Sequence, residues 1–146
     1  MKMIEVFDKK AYLPLLLLAD EQESMIYKYL DKGTMFVLDD NGVKGEVLVC
    51  DVGNKILEIK NIAVDSAHQN KGYGKMMIEF ICEKYKDRYS ILQVGTGDSP
   101  RTIPFYEKCG FARSHVIKDF FINNYDHLIF ECGKQLVDMV YLRRGI

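Results

Sequence analysis

The run Gln69-Asn70-Lys71-Gly72-Tyr73-Gly74-Lys75 has the residue types and spacing to hold an anion. It lies between an apolar segment that ends at Val64 and an amphipathic segment that begins at Gly72. A strand that passes through a glycine-containing turn into a helix gathers successive backbone N–H groups around one point. The helix dipole adds partial positive charge there, and small residues let a phosphate approach the main chain. The turn therefore reads as a cradle for a phosphate or pyrophosphate. Tyr73, Lys71 and Lys75 stand beside it, either flanking the phosphates or as ordinary solvated side chains.

Other polar residues are more scattered. Asn61 interrupts an otherwise apolar segment, and its amide can serve an acceptor substrate or simply a neighbouring strand. Asp119, Phe120, Phe121, Tyr125, Asp126 and Glu131 mix carboxylates with aromatic faces, which suits a cationic amine with an apolar portion. The plainer alternative is that the phenylalanines are core and the acids face water. Cys50, Cys82, Cys109 and Cys132 are widely spaced, with no Cys-x-x-Cys pair and no histidine at metal-ligand spacing, so reduced thiols and no metal are expected. A nucleotide switch would need a Gly-x-x-x-x-Gly-Lys-Ser/Thr loop, which the sequence lacks.

These groups need a scaffold to position them. Residues 3–7 read as a strand, and residues 12–18 and 21–30 as helices, with Gly33 as the stop. Strands over 34–38, 43–51 and 56–64, joined at Asp39-Asp40-Asn41-Gly42 and Gly53-Asn54, make an antiparallel meander that ends at the glycine turn. Met76, Met77, Phe80 and Ile81 trace the apolar stripe of a helix from 72 to about 86. A strand over 89–95 follows, then a helix with Ser99 and Pro100 at its start and Gly110 at its end. Strands over 111–118 and 136–142 close the chain, and the irregular segment 119–133 between them is a long connection of the kind that often carries function.

The chain of 146 residues is the size of one ordinary domain, large enough to bury roughly 68–70% of its unfolded surface. A net charge of −1 provides no basic footprint for nucleic acid or for a membrane surface. The apolar stretch 13–19 contains Pro14 and is too short for a membrane span. A cytoplasmic protein with a small-molecule ligand is the expectation.

Combined, the strand 57–64, the Gln69-x-x-Gly72-x-Gly74 turn with its helix, the strand 91–95 and Phe105-Tyr106-Glu107-Lys108-Cys109-Gly110-Phe111 resemble the GCN5-related N-acetyltransferase (GNAT) superfamily. The resemblance runs from about residue 34 to the end. It implies an α/β (α+β) fold in one domain over 1–146. A mixed, mostly antiparallel twisted sheet of six to seven strands would be flanked by about four helices, with the strands 56–64 and 89–95 splayed apart.

The resemblance also implies acetyl-CoA as co-substrate. Its pantetheine arm would run along Ile62, Ala63 and Val64, and its pyrophosphate would lie on amides from Gln69 through Lys75. Tyr106 aligns with a tyrosine that protonates the departing thiolate, and Glu58 with a strand glutamate that acts as general base in some relatives. Each also has a structural alternative, helix packing for Tyr106 and an exposed strand carboxylate for Glu58. Asp98 stands where many relatives have a cofactor-contacting asparagine; it would contact the pantetheine or join Ser99 in capping the next helix. Cys109 occupies a position the family does not use as a nucleophile. The implied activity is direct acetyl transfer to a primary amine of a small molecule or a protein in a ternary complex, and a homodimer through the C-terminal strands is in keeping with the family. A CoA-binding module without turnover is the alternative.

Overall fold

The computed structural model describes all 146 residues. Strand β1 (Lys2–Val6) pairs antiparallel with β2 (Thr34–Asp39), and β3 (Val43–Asp51) and β4 (Ile56–Val64) continue the expected meander. β5 (Ile91–Gly97) lies parallel to β4. β9 (Met139–Gly145) pairs antiparallel with β5 and with β6 (Ala112–Ile117), giving a seven-stranded sheet in the order β1-β2-β3-β4-β5-β9-β6.

Both faces of this sheet are covered, which explains why its central strands read as nearly continuous apolar runs. In β3, Val47 and Val49 face one core while Leu48 and Cys50 face the other. The first core receives helix α3 (Tyr73–Tyr85) through Met77, Ile78 and Ile81, all fully buried. Burial of each such side chain contributes about 1.5–3 kcal/mol. The opposite face is covered by α1 (Leu13–Ala19) and α2 (Glu23–Ile26), which bury Leu16 and Ile26. α4 (Ile103–Lys108) joins the first core through Ile103 and Tyr106.

Three elements differ from the sequence expectation. The helix foreseen over 21–30 stops at Ile26, after which Lys28 and Tyr29 donate to Met25 and Ile26 in a tightened turn. Leu30 still reaches the core, so the apolar spacing was satisfied by turns as well as by helix. The helix after β5 starts at Ile103, not at Ser99 and Pro100. Pro104 accounts for the difference: in the first turn its missing N–H costs nothing, whereas a helix begun at Pro100 would place it in the interior. Ser99 instead accepts the Arg101 N–H at 3.1 Å. The last strand begins at Met139, because residues 119–135 form α5 (Phe120–Asn124) and a small hairpin of β7 (Phe130–Glu131) with β8 (Lys134–Gln135).

Candidate active site

The site begins with a defect in the sheet. Across β3 and β4, Val49 faces Ile59 and Leu48 faces Asn61, leaving Lys60 as an extra residue in β4. Such a bulge bends its strand and increases the local twist. The parallel ladder between β4 and β5 runs only from Ile56↔Ile91 to Ile59↔Val94, although β4 continues to Val64 and β5 to Gly97. Beyond Ile59 and Val94 the two strands are splayed, as the resemblance implied. A cleft of about 480 Å³ fills the opening, lined by Asn61, Ile62, Ala63 and Val64 on one side and Val94, Gly95, Thr96 and Gly97 on the other.

At one end of the cleft stands the glycine turn. Gly72 has φ +87° and caps α3, with open space where a Cβ would be. The hydrogen-bond pattern within the chain leaves the amides from Gln69 through Lys75 without backbone acceptors. Those amides fit a diphosphate by geometry and by charge. Gly74 serves a different purpose: a Cβ there would lie 2.9 Å from the Phe105 ring, so its absence lets α4 pack against the start of α3. The side chains of the turn are partly committed to the protein. Gln69 donates to the Val64 carbonyl at 3.2 Å and accepts from Arg101 at 2.8 Å, and the Tyr73 hydroxyl donates to Asp40 at 2.7 Å. Asn70, Lys71 and Lys75 are exposed.

The structure brings Ile62, Ala63, Val64, Gln69 and Tyr106 together on the cleft wall. Tyr106 is buried between the Phe105 and Phe111 rings, and burial pushes its phenol up, so it remains a proton donor at neutral pH. Glu58 is buried one step away from the lining. Its carboxylate pairs with Lys60 Nζ at 2.8 Å and accepts from Gln93, whose own oxygen accepts from Arg143 at 2.7 Å. Within this group, Lys60 lines the cleft. Asp98 lies outside it, paired with Arg113 and Lys134, each at 3.4 Å. The α4 cap is Thr102, so Asp98 does not cap that helix.

The other end of the cleft is built from side chains brought from distant parts of the chain. Asn61 donates to the Leu16 carbonyl at 3.0 Å and to the Tyr29 hydroxyl at 2.9 Å. Tyr29 donates to Asp20 at 3.1 Å, and Tyr125 donates to the other Asp20 oxygen at 2.7 Å. Burial pushes the Asp20 carboxyl up, and the two hydroxyls oppose that rise. Both phenols are pushed up in turn, by burial and by the Asp20 charge. Phe121 and Tyr125 line this end, whereas Phe120 packs behind Phe121 and Asp126 is exposed beside His127. On the same sheet face Glu46 is fully buried opposite Ala63; both its carboxyl oxygens lack partners, and burial pushes it well above the ordinary value of 4.5.

Asp20, Tyr29, Lys60 and Arg101 were not singled out from the sequence. The Asp20–Tyr125 contact joins residues 105 positions apart, and no local pattern announces such a pair.

A splayed β4–β5 pair with an anion turn at one end is the arrangement that the resemblance implies for a transferase using a CoA thioester. A sequence profile of the acetyltransferase (GNAT) domain matches residues 31–113. The uncharacterized N-acetyltransferase YvbK of Bacillus subtilis (strain 168) is 36% identical over 131 residues, covering 88% of this chain and 84% of that protein. A Bacillus subtilis acetyltransferase solved in complex with CoA superposes with a TM-score of 0.90 at 32% identity, covering 99% of this chain and 98% of that one. A GNAT family acetyltransferase from Elizabethkingia anophelis with acetyl-CoA bound gives 0.92 at 31% identity, covering 99% and 97%. The chain belongs to the GNAT acetyltransferase family, and its reaction class is acetyl-CoA-dependent N-acetyl transfer.

Proposed function

We propose that this enzyme carries the acetyl group in a single step from acetyl-CoA to a primary amine, with both substrates held in the one cleft. The observation that carries this reading is the continuity of that cleft, from Gln69 and Arg101 at the anion turn to Asp20 and Tyr125 at the far end. Two reactants held in one cavity gain from proximity and need no covalent enzyme intermediate. Acetyl-CoA supplies an activated thioester. The residues that would hold it are the turn Gln69, Asn70, Lys71, Gly72, Tyr73, Gly74 and Lys75 through their amides, and Ile62, Ala63 and Val64 along the open edge of β4.

Main-chain N–H groups on that edge are suited to the oxyanion of the tetrahedral intermediate, because the splay removes their strand partner. Tyr106 is assigned the proton delivered to the leaving thiolate. Asn61 and the aromatic pair Phe121 and Tyr125 are assigned to the acceptor. Glu58 is assigned a positioning role: it holds the Lys60 ammonium at the wall and is itself held by Gln93. Asp98, Phe120 and Asp126 act only from outside the lining. The activity is assigned to residues 1–146 as one domain. No helix is long and apolar enough to cross a membrane. The four cysteines are free, as suits the reducing cytoplasm to which the enzyme is assigned. Exposed Val116 and Ile117 on the edge strand β6 support a homodimer through that edge.

The test is an acetyl-CoA consumption screen over chemically distinct amines, with initial rates measured against both substrates. Intersecting double-reciprocal lines are expected; parallel lines with an acetylated enzyme would refute direct transfer. Stoichiometric CoA binding with no turnover of any amine would replace the enzyme reading with a binding module. Glu58→Gln should change kcat/KM while leaving the acidic limb of the rate profile in place. Loss of that limb would make Glu58 the base instead.

A further inference from the structure

The geometry points to Asp20 as the counter-ion that selects a positively charged acceptor, a primary ammonium on an apolar body. This inference rests on the transferase reading and goes beyond it by naming the group that recognises the acceptor.

Asp20 lines the cleft at the end remote from the anion turn. Its two oxygens each accept one tyrosine hydroxyl, from Tyr29 and Tyr125, which fixes the carboxylate's orientation. A carboxylate offers about four acceptor positions; the two hydroxyls and the Gln22 backbone N–H occupy three, which leaves one for a ligand. Asn61 supplies the independent observation. It is only 3% exposed and lines the same cleft, its amide nitrogen is fully engaged by Leu16 and Tyr29, and its Oδ1 has no partner. That oxygen adds negative partial charge to the same wall with no donor to offset it, which favours a cation beside Asp20.

The Asn61 amide and the Asp20 carboxylate are joined through one hydroxyl, that of Tyr29, so both acceptors are oriented by the same framework. Charge agrees with this polarity. Glu21 and Glu131 also line the cleft, while its two cationic side chains are engaged, Lys60 by Glu58 and Arg101 by Gln69. Leu18, Phe121 and Phe130 complete the surroundings with apolar surface, so a bare ammonium or a fully polar sugar leaves that surface unused.

Titration calorimetry on the full chain separates the layers of this proposal. CoA is titrated first, into wild type, Asp20→Asn and Asp20→Glu; equal affinities certify that each variant folds. At saturating CoA, phenethylamine and its neutral analogue 2-phenylethanol are then titrated. The amine should bind wild type more tightly than the alcohol, and Asp20→Asn should weaken the amine about tenfold or more while leaving the alcohol unchanged. Asp20→Glu, which keeps the charge, should retain more of the preference than Asp20→Asn. Equal amine affinity in wild type and Asp20→Asn, equal weakness in both variants, or no amine binding by a CoA-loaded wild type would each overturn the assignment. Failure of wild type to bind CoA would overturn the transferase reading itself.

Discussion

The two ends of the cleft are built from different materials. The anion end is main chain: a positive-φ glycine, the first turn of a 13-residue helix and amides without backbone acceptors. The end proposed for the acceptor is side chain: Asp20, Tyr29, Asn61 and Tyr125, drawn from three separated stretches of sequence and tied by hydrogen bonds. A diphosphate common to many reactions can be read by backbone, whose donors do not change with sequence. An amine that differs from one enzyme to the next must be read by side chains, which can change without disturbing the fold.

The junction between the ends should show the largest effect. Tyr106→Phe keeps the ring between Phe105 and Phe111 but removes the proton, so kcat should fall by about 100-fold with CoA affinity unchanged. Rate measurements with a saturating amine check this, and an unaltered kcat would remove Tyr106 from the chemistry. Next is the backbone end. Gly72→Val forces a β-branched residue to φ +87°, at a cost of about 1–3 kcal/mol, so CoA binding should weaken tenfold or more although no side-chain contact is lost. Calorimetry decides; an unchanged dissociation constant would mean that the turn does not hold the cofactor.

Glu46, on the acceptor face, tests how much stability that side-chain end gives up. Its folded pKa is raised, so the native state keeps a proton that the unfolded chain loses once pH rises past the ordinary value of 4.5. Stability from this group is therefore full below that pH and declines by up to about 1.4 kcal/mol per pH unit as pH rises toward the folded value. Glu46→Gln removes the slope, and urea melts at pH 5 and pH 8 should show the variant gaining on wild type at the higher pH. The smallest effect is expected from the exposed ammonium groups. Lys71→Ala with Lys75→Ala should weaken CoA only a few-fold, and less at high salt, because solvated charges contribute about 0–1 kcal/mol each. A larger loss would shift the reading at that end from backbone to side chain.

The same contrast governed what could be read from the sequence. The glycine turn was legible because its chemistry is local: strand, glycines and helix start follow one another within a few residues. The splay was foreseen from the family resemblance, but its physical origin at Lys60 was not, since a bulge depends on how two strands register and not on either alone. The helix start at Ile103 was legible in retrospect from Pro104, whereas Ser99 offered a competing signal that a turn absorbed. Asp20 follows the apolar stretch 13–19 with no local partner to mark it. Its role is set by Tyr29 and Tyr125, and only the folded chain brings them together.

Lys60 has a consequence for how the opening could have arisen. Ile59 points into one core and Asn61 into the other, and β4 alternates regularly on either side of the extra residue. A chain lacking that single position would keep every downstream side chain on its present face, because the alternation is already correct without it. Gain or loss of one codon there would switch the strand between bent and straight without reassigning its inside and outside.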